Sequence, residues 1–198
     1  MLLKEKLRDK KILLASQSPR RQQLLTELGI PFELRVNSVE DETYPEDLPY
    51  NEIPEYLAKK KAEPLLKNLR SNEILITSDT IVWCNGRLIG KPVDRKDAIL
   101  ILNELSDNKH VVVTGICLSS NIKTHLFSSI TDVYFRKLSM EEIEYYVDLY
   151  KPFDKAGAYG IQEWIGYVAV ERIDGSFYNV MGLPLQKLYK ELLDFVGD

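Results

Sequence analysis

The chain is short of the residues on which several common chemistries depend. It has only two cysteines, Cys84 and Cys117, far apart and with no CxxC or Cys/His spacing. Neither a disulfide framework nor a zinc site is indicated, and a reducing cytoplasm is the expected compartment. Of 198 residues only two are histidines, His110 and His125, in or beside strand-like segments; both read as structural or surface residues. No run of about 18 apolar residues exists to span a membrane. The opening MLLKEKLRDKK is too charged to hold the apolar region of a signal peptide. There is no Walker A loop, HExxH or GxSxG. Net charge is −4, which argues against a general nucleic-acid binder.

What is present is an ordinary globular composition, 44% hydrophobic and 28% charged. It suits one α/β domain over residues 1–198. Candidate strands (KILLAS, FELRVNSV, HVVVTGICLSS, THLFSSITDVYFRKL, YVAVERI) alternate with candidate helices. Several strands are joined by short turns, which favours a mixed sheet flanked by helices. EILITSDTIVWCNGRLIGKP reads as a buried strand with a break around Ser78-Asp79, then a hairpin turning at Asn85-Gly86. Asp94 is placed to cap the helix RKDAILILNEL. Ser139 with Glu142 forms a capping-box pattern, and a final amphipathic helix runs from about Pro184 to Val196.

Six stretches offer chemistry. In LLASQSPRRQQLL, Ser18 is a natural N-cap, Pro19 suits the first helical position and Gly29 a stop. Yet Arg20 and Arg21 fall in the first turn, where the helix dipole disfavours cations by a few tenths of a kcal/mol. A phosphate bound by the helix N-terminus, Ser16, Ser18 and the guanidinium groups would offset that term. Solvation or pairing with acids such as Glu27 is the plain alternative, and taken alone the two readings stand level. Asp79, between EILIT and TIVW, is costly to bury unless paired or bound to metal, and a strand end is where α/β sites gather. Lys91 and Lys61, taken singly, read as exposed charges, and Asp41 and Glu42 as solvated loop acids. The glycine-rich DKAGAYGIQ suggests a loop that approaches a ligand closely, and Gln162 offers a donor and an acceptor on one planar group.

Together, LASQSPRRQQLL, LAKKKA, SDTIV, GKP, TGICL, DKAGAYGIQ and GLPL occur in the order seen in the Maf family of nucleotide pyrophosphatases, which the chain resembles from about Ile12 to Leu193. The resemblance implies an elongated mixed β-sheet flanked by helices, with two lobes and a central cleft. It implies hydrolysis of a nucleoside triphosphate to monophosphate and diphosphate, dependent on Mg2+ or Mn2+, with a homodimer as the plausible assembly and no nucleic-acid or membrane partner. By the same resemblance Asp79 is the catalytic acidic residue; Ser16, Arg21, Lys61, Lys91 and an acid of the DET loop handle phosphate and metal. Glu42 is favoured over Asp41 for that acid, and Glu42 with Asp79 for the metal. Arg20, Thr80 and Gln162 occupy the positions that separate substrate groups, and their identities resemble the dTTP/UTP group. The group that prefers 7-methyl-GTP has tryptophan and glutamate in place of Arg20 and Gln162. The acceptor–donor–acceptor edge of uracil and thymine suits a carboxamide, and a cationic guanine would be repelled by Arg20. One departure stands out: EWIG follows Gln162 where the family commonly has glycine. Holding a metal whose bound water is acidified suits Asp79 better than acting as a base. The readings left open are a non-catalytic nucleotide-binding regulator of cell division and a pyrophosphatase for non-standard purine triphosphates.

Overall fold

The computed structural model describes residues 2–35 and 42–197. Its elements in chain order are α1 (Leu3–Lys6), β1 (Lys11–Leu14), α2 (Pro19–Glu27), β2 (Phe32–Leu34), α3 (Ile53–Leu66), β3 (Glu73–Cys84), β4 (Arg87–Ile89), α4 (Arg95–Leu105), β5 (Lys109–Ser119), β6 (Thr124–Phe135) and α5 (Met140–Tyr150). A 3-10 turn (Ala156–Ala158), α6 (Trp164–Ala169), β7 (Val170–Asp174), α7 (Phe177–Val180) and α8 (Leu185–Phe195) follow. The strands form a seven-stranded mixed sheet in the order β2-β1-β3-β5-β6-β7, with β4 paired to β3. β1 runs parallel to β2 and β3, whereas β3–β4 and β6–β7 are antiparallel. No helix among the described residues is long and apolar enough to cross a membrane.

Two compact units divide the chain. One comprises Met1–Asp79, Thr114–Ser129 and Gly182–Asp198, the other Thr80–Val113 and Ile130–Met181. In the first, α3 lies close on the sheet because small residues face it. Ala58 and Ala62 pack on Leu13, Leu75 and Cys117, and Gly115 of β5 abuts the Pro54 backbone so tightly that a Cβ would lie 2.2 Å from its carbonyl carbon. In the second, His110 is fully buried among Phe135 and Tyr159, with its Nε2 2.8 Å from the Tyr159 hydroxyl. Burial holds its pKa down at about 3.

Local sequence signals mostly became the expected structure. Asn85 and Gly86 both take positive φ (49° and 78°), as a type I′ hairpin needs. The Asp94 side chain accepts from the Asp97 N–H, and Ser139 and Glu142 form the reciprocal box. Two expectations fail. β3 is unbroken through Ser78-Asp79, for reasons given below. Tyr167–Ala169, expected within a strand, belong to α6: helical pitch buries Ile165 and Ala169 together, whereas a strand's alternation would bury Tyr167, which is 77% exposed. The expected extension of β2 over 36–39 lies outside the described residues.

Two outcomes follow from these packing facts. Gly115→Ala forces the α3 backbone away and should cost at least about 2 kcal/mol in urea unfolding, while Gly90→Ala, with nothing within 4 Å of the added methyl, should stay within about 0.5 kcal/mol of wild type. For His110, the unfolded chain protonates near the ordinary 6.5 and the folded chain only near 3. Its contribution is therefore complete above pH 6.5 and is lost on acidification toward 3, by up to about 1.4 kcal/mol per pH unit. Urea melts from pH 7 to 5 should show a shallower slope for His110→Gln than for wild type.

Candidate active site

β1 has parallel neighbours on both sides, reached through α2 on the way to β2 and through α3 on the way to β3. Right-handed crossovers in opposite directions place those two helices on opposite faces, so the strand order reverses at β1, and sites in such sheets gather at the carboxyl ends beside a reversal of this kind. The last β1–β3 pair is Leu14↔Ile76, followed by the bond from the Ala15 N–H to the Ile76 carbonyl at 2.9 Å. Ser16, the first turn of α2 and Ser78-Asp79 all come just after this point in their segments.

Asp79 is not at a strand end, and this corrects the expected break. It is 7% exposed and sits within continuous β3. The backbone stays in the ladder because the charge is matched where it stands: Lys61 of α3 pairs directly with the Asp79 carboxylate. Thr77, on the same strand face, donates to the Ala58 carbonyl of α3 at 2.6 Å and fixes the helix one turn before Lys61. The Lys61 Nζ also reaches Glu42 Oε1 at 3.2 Å, so one ammonium holds both carboxylates together. Asp41, the alternative loop acid, lies outside the described residues.

Arg21 answers the question raised by a cationic first turn. Its side chain turns into the protein, where Nε donates to the Gly182 carbonyl and Nη1 to the Ser78 carbonyl, each at 2.9 Å. Burial lowers its pKa, the charges of Asp79 and Glu42 oppose that, and neighbouring Arg20 adds to it. Glu27, the acid named as an alternative partner, accepts from the Gln23 side chain at 2.8 Å. Arg20 is half-buried. Ser18 has the extended backbone of an N-cap, but its hydroxyl does not cap α2. Its N–H donates instead to Oγ of buried Ser16 at 3.2 Å, so Ser18 gives the first turn no side-chain acceptor.

The remaining candidates belong to the second unit. Thr80 follows Asp79 along β3, half-buried and on the opposite strand face. Lys91 is exposed just past β4, after Gly90, whose carbonyl accepts from the Gly157 N–H at 3.1 Å. Gln162 closes the loop before α6, and its side-chain Oε1 is buried without a hydrogen-bond partner. Three side chains that sequence reading passed over as individuals hold this loop: Tyr146, Lys155 and Glu163. The EWIG departure was the available signal for Glu163. Tyr146 offered none beyond its place on a helix face.

Residues 11–195 match the family described as Maf-like protein. The chain belongs to the Maf-like family. Among curated relatives of this Maf-like chain, the "dTTP/UTP pyrophosphatase" of Parabacteroides distasonis is 54% identical over 191 residues, covering 96% of this chain and 99% of the relative. The protein of that name from Flavobacterium johnsoniae is 48% identical over 195 residues, covering 98% and 100%. The solved structure of the Staphylococcus aureus Ham1 protein aligns over 92% of this chain and 100% of its own, at 19% identity and a TM-score of 0.48, a weak likeness.

Because Arg21 ties two carbonyls with one rigid fork, Arg21→Lys should lower stability by roughly 1–3 kcal/mol in urea melts. A shift under about 0.5 kcal/mol would mean that the guanidinium is an ordinary surface charge.

Proposed function

We propose that this chain is a nucleoside triphosphate pyrophosphatase acting on dTTP and UTP, a hydrolase that keeps the nucleotide pool clean. The observation that carries the reading is the cluster in which Lys61 holds Asp79, within β3, and Glu42 together, with half-buried Arg21 bonded to the neighbouring Ser78 carbonyl. The names of relatives at about half identity over nearly the whole chain support the pyrimidine substrates.

In this reaction water attacks the α-phosphorus, the bond to the bridging oxygen breaks, and diphosphate leaves with its charge. Lys61, Arg21 and Lys91 supply positive charge where that negative charge develops. Ser16 and the uncapped first turn of α2 supply hydrogen-bond donors to phosphate oxygens. Asp79 orients the attacking water and accepts a hydrogen bond from it. Among the described residues no three acidic, histidine or cysteine side chains form a cage of their own. Two carboxylates fit Mg2+ or Mn2+, which take hard oxygen donors and complete their shells with substrate phosphate and water. Asp79 and Glu42 would hold such an ion, and it supplies further charge neutralisation on the phosphates when bound. The buried, unpartnered Oε1 of Gln162 is an acceptor awaiting a donor. The N3–H of uracil or thymine is one, and the Nε2 of the same amide can donate to the adjoining carbonyl. Arg20 and Thr80 are assigned to the same choice of base.

Diphosphate release from dTTP, UTP, CTP and GTP, with and without Mg2+ or Mn2+, tests the reading. Metal-dependent release from dTTP and UTP is expected, reduced roughly a thousandfold by Asp79→Asn. Gln162→Glu should depress the two pyrimidine substrates selectively. Near-normal turnover by Asp79→Asn would remove Asp79 from the chemistry. No release from any triphosphate by the folded wild type would overturn the enzyme itself.

A further inference from the structure

The loop that carries Gln162 is clamped by residues on both sides of it, two of which, Tyr146 and Glu163, lie outside the DKAGAYGIQ motif. The Tyr146 hydroxyl, on a fully buried ring of α5, donates to Glu163 Oε2 and accepts from the Gly160 N–H at 3.0 Å. The other Glu163 oxygen lies 3.3 Å from Nζ of Lys155, itself 8% exposed, and that ammonium also binds Asp154 Oδ1 at 2.8 Å. Both carboxylate oxygens of the residue after Gln162 are therefore engaged. The turn closes on itself as well: the Glu163 N–H donates to the Gly160 carbonyl at 2.9 Å, and the Tyr167 hydroxyl donates to the Gln162 carbonyl at 3.0 Å. Gly160 leaves the space this folding needs, since a Cβ there would come 2.8 Å from the Glu163 carboxyl carbon and 3.0 Å from Gln162 Nε2.

We infer that Tyr146, Glu163 and Lys155 form a positioning clamp that sets the Gln162 carboxamide for reading the pyrimidine base. The inference rests on the function proposed above. A carboxamide discriminates between bases only if its donor and acceptor stay in a fixed plane; a loop free to shift by about an ångström would bind bases indifferently. Backbone bonds alone leave such a turn free to rock. The clamp joins the residues on both sides of Ile161-Gln162 to one rigid ring in the core. Glu163, where relatives of this family commonly carry glycine, is thus the centre of the clamp in this chain.

The test is the ratio of kcat/KM for dTTP to kcat/KM for ribose 5′-triphosphate, which has the phosphates but no base to read. Tyr146→Phe keeps the buried ring and deletes both hydroxyl bonds; Glu163→Gln keeps the size and deletes the charge. For Tyr146→Phe the ratio should fall about tenfold, through a raised KM for dTTP, with ribose 5′-triphosphate turnover within twofold of wild type. Glu163→Gln should show a smaller fall in the same direction, and carries the test if the tyrosine variant does not fold. A merely structural role would depress both substrates alike. A common loss, or an unchanged ratio in a wild type that prefers dTTP, overturns the clamp alone. A wild type with no preference for dTTP and UTP over ribose 5′-triphosphate overturns the proposed function, and the clamp with it.

Discussion

The contact on which the first unit depends is the ion pair between Lys61 and Asp79. A carboxylate buried in the middle of a strand would cost several kcal/mol if it stood alone. Matched by an ammonium, it lets β3 run without a break from Glu73 to Cys84. The match requires α3 at close range, which explains a set of residues with no chemistry of their own. Ala58 and Ala62 present a thin helix face, Gly115 removes the side chain that would hold Pro54 away, and Thr77 fastens the helix by its Ala58 carbonyl. Enlarging any of them moves Lys61 away from the charge it neutralises.

Arg21 extends the same logic to the other face of the sheet. Its bonds to Ser78 and Gly182 tie α2, the backbone beside Asp79 and the GLPL turn into one frame. The unfavourable dipole term for a cation in a first helical turn is a few tenths of a kcal/mol. Two hydrogen bonds from a charged donor outweigh it without help from a ligand. The arginine is therefore accounted for by folding as well as by phosphate, and its presence in the motif does not separate the two.

Features decided within a few residues were legible in the sequence: the Asn85-Gly86 turn, the Asp94 cap, the Ser139–Glu142 box, the closing helix. Features decided by a distant partner were not. The partner that keeps Asp79 in its strand lies 18 residues away on another element, so local pattern argued for a break. Tyr167–Ala169 carry strand-like composition, but the bond from the Gly166 N–H to the Glu163 carbonyl and the paired burial of Ile165 and Ala169 select a helix. The site was legible as residue types in a familiar order, and that order says which side chains belong together. It does not say that one lysine holds both acids.

Gln162 shows the limit most clearly. Its identity fits a pyrimidine edge, yet an amide on a loose loop would accept many edges by rotating or shifting. Selectivity is a difference between affinities and depends on what the amide cannot do. Under the proposed clamp that restriction comes from groups around the amide: a phenol from α5, a carboxylate one residue on, and a glycine two residues back. The Gln162 Oε1 is buried with no hydrogen-bond partner among the described residues. A buried acceptor without a partner costs about 1–3 kcal/mol, and a base N–H that fills it recovers that amount as binding energy specific to the right edge. Rigidity of the loop and selectivity of the amide are in this sense one property.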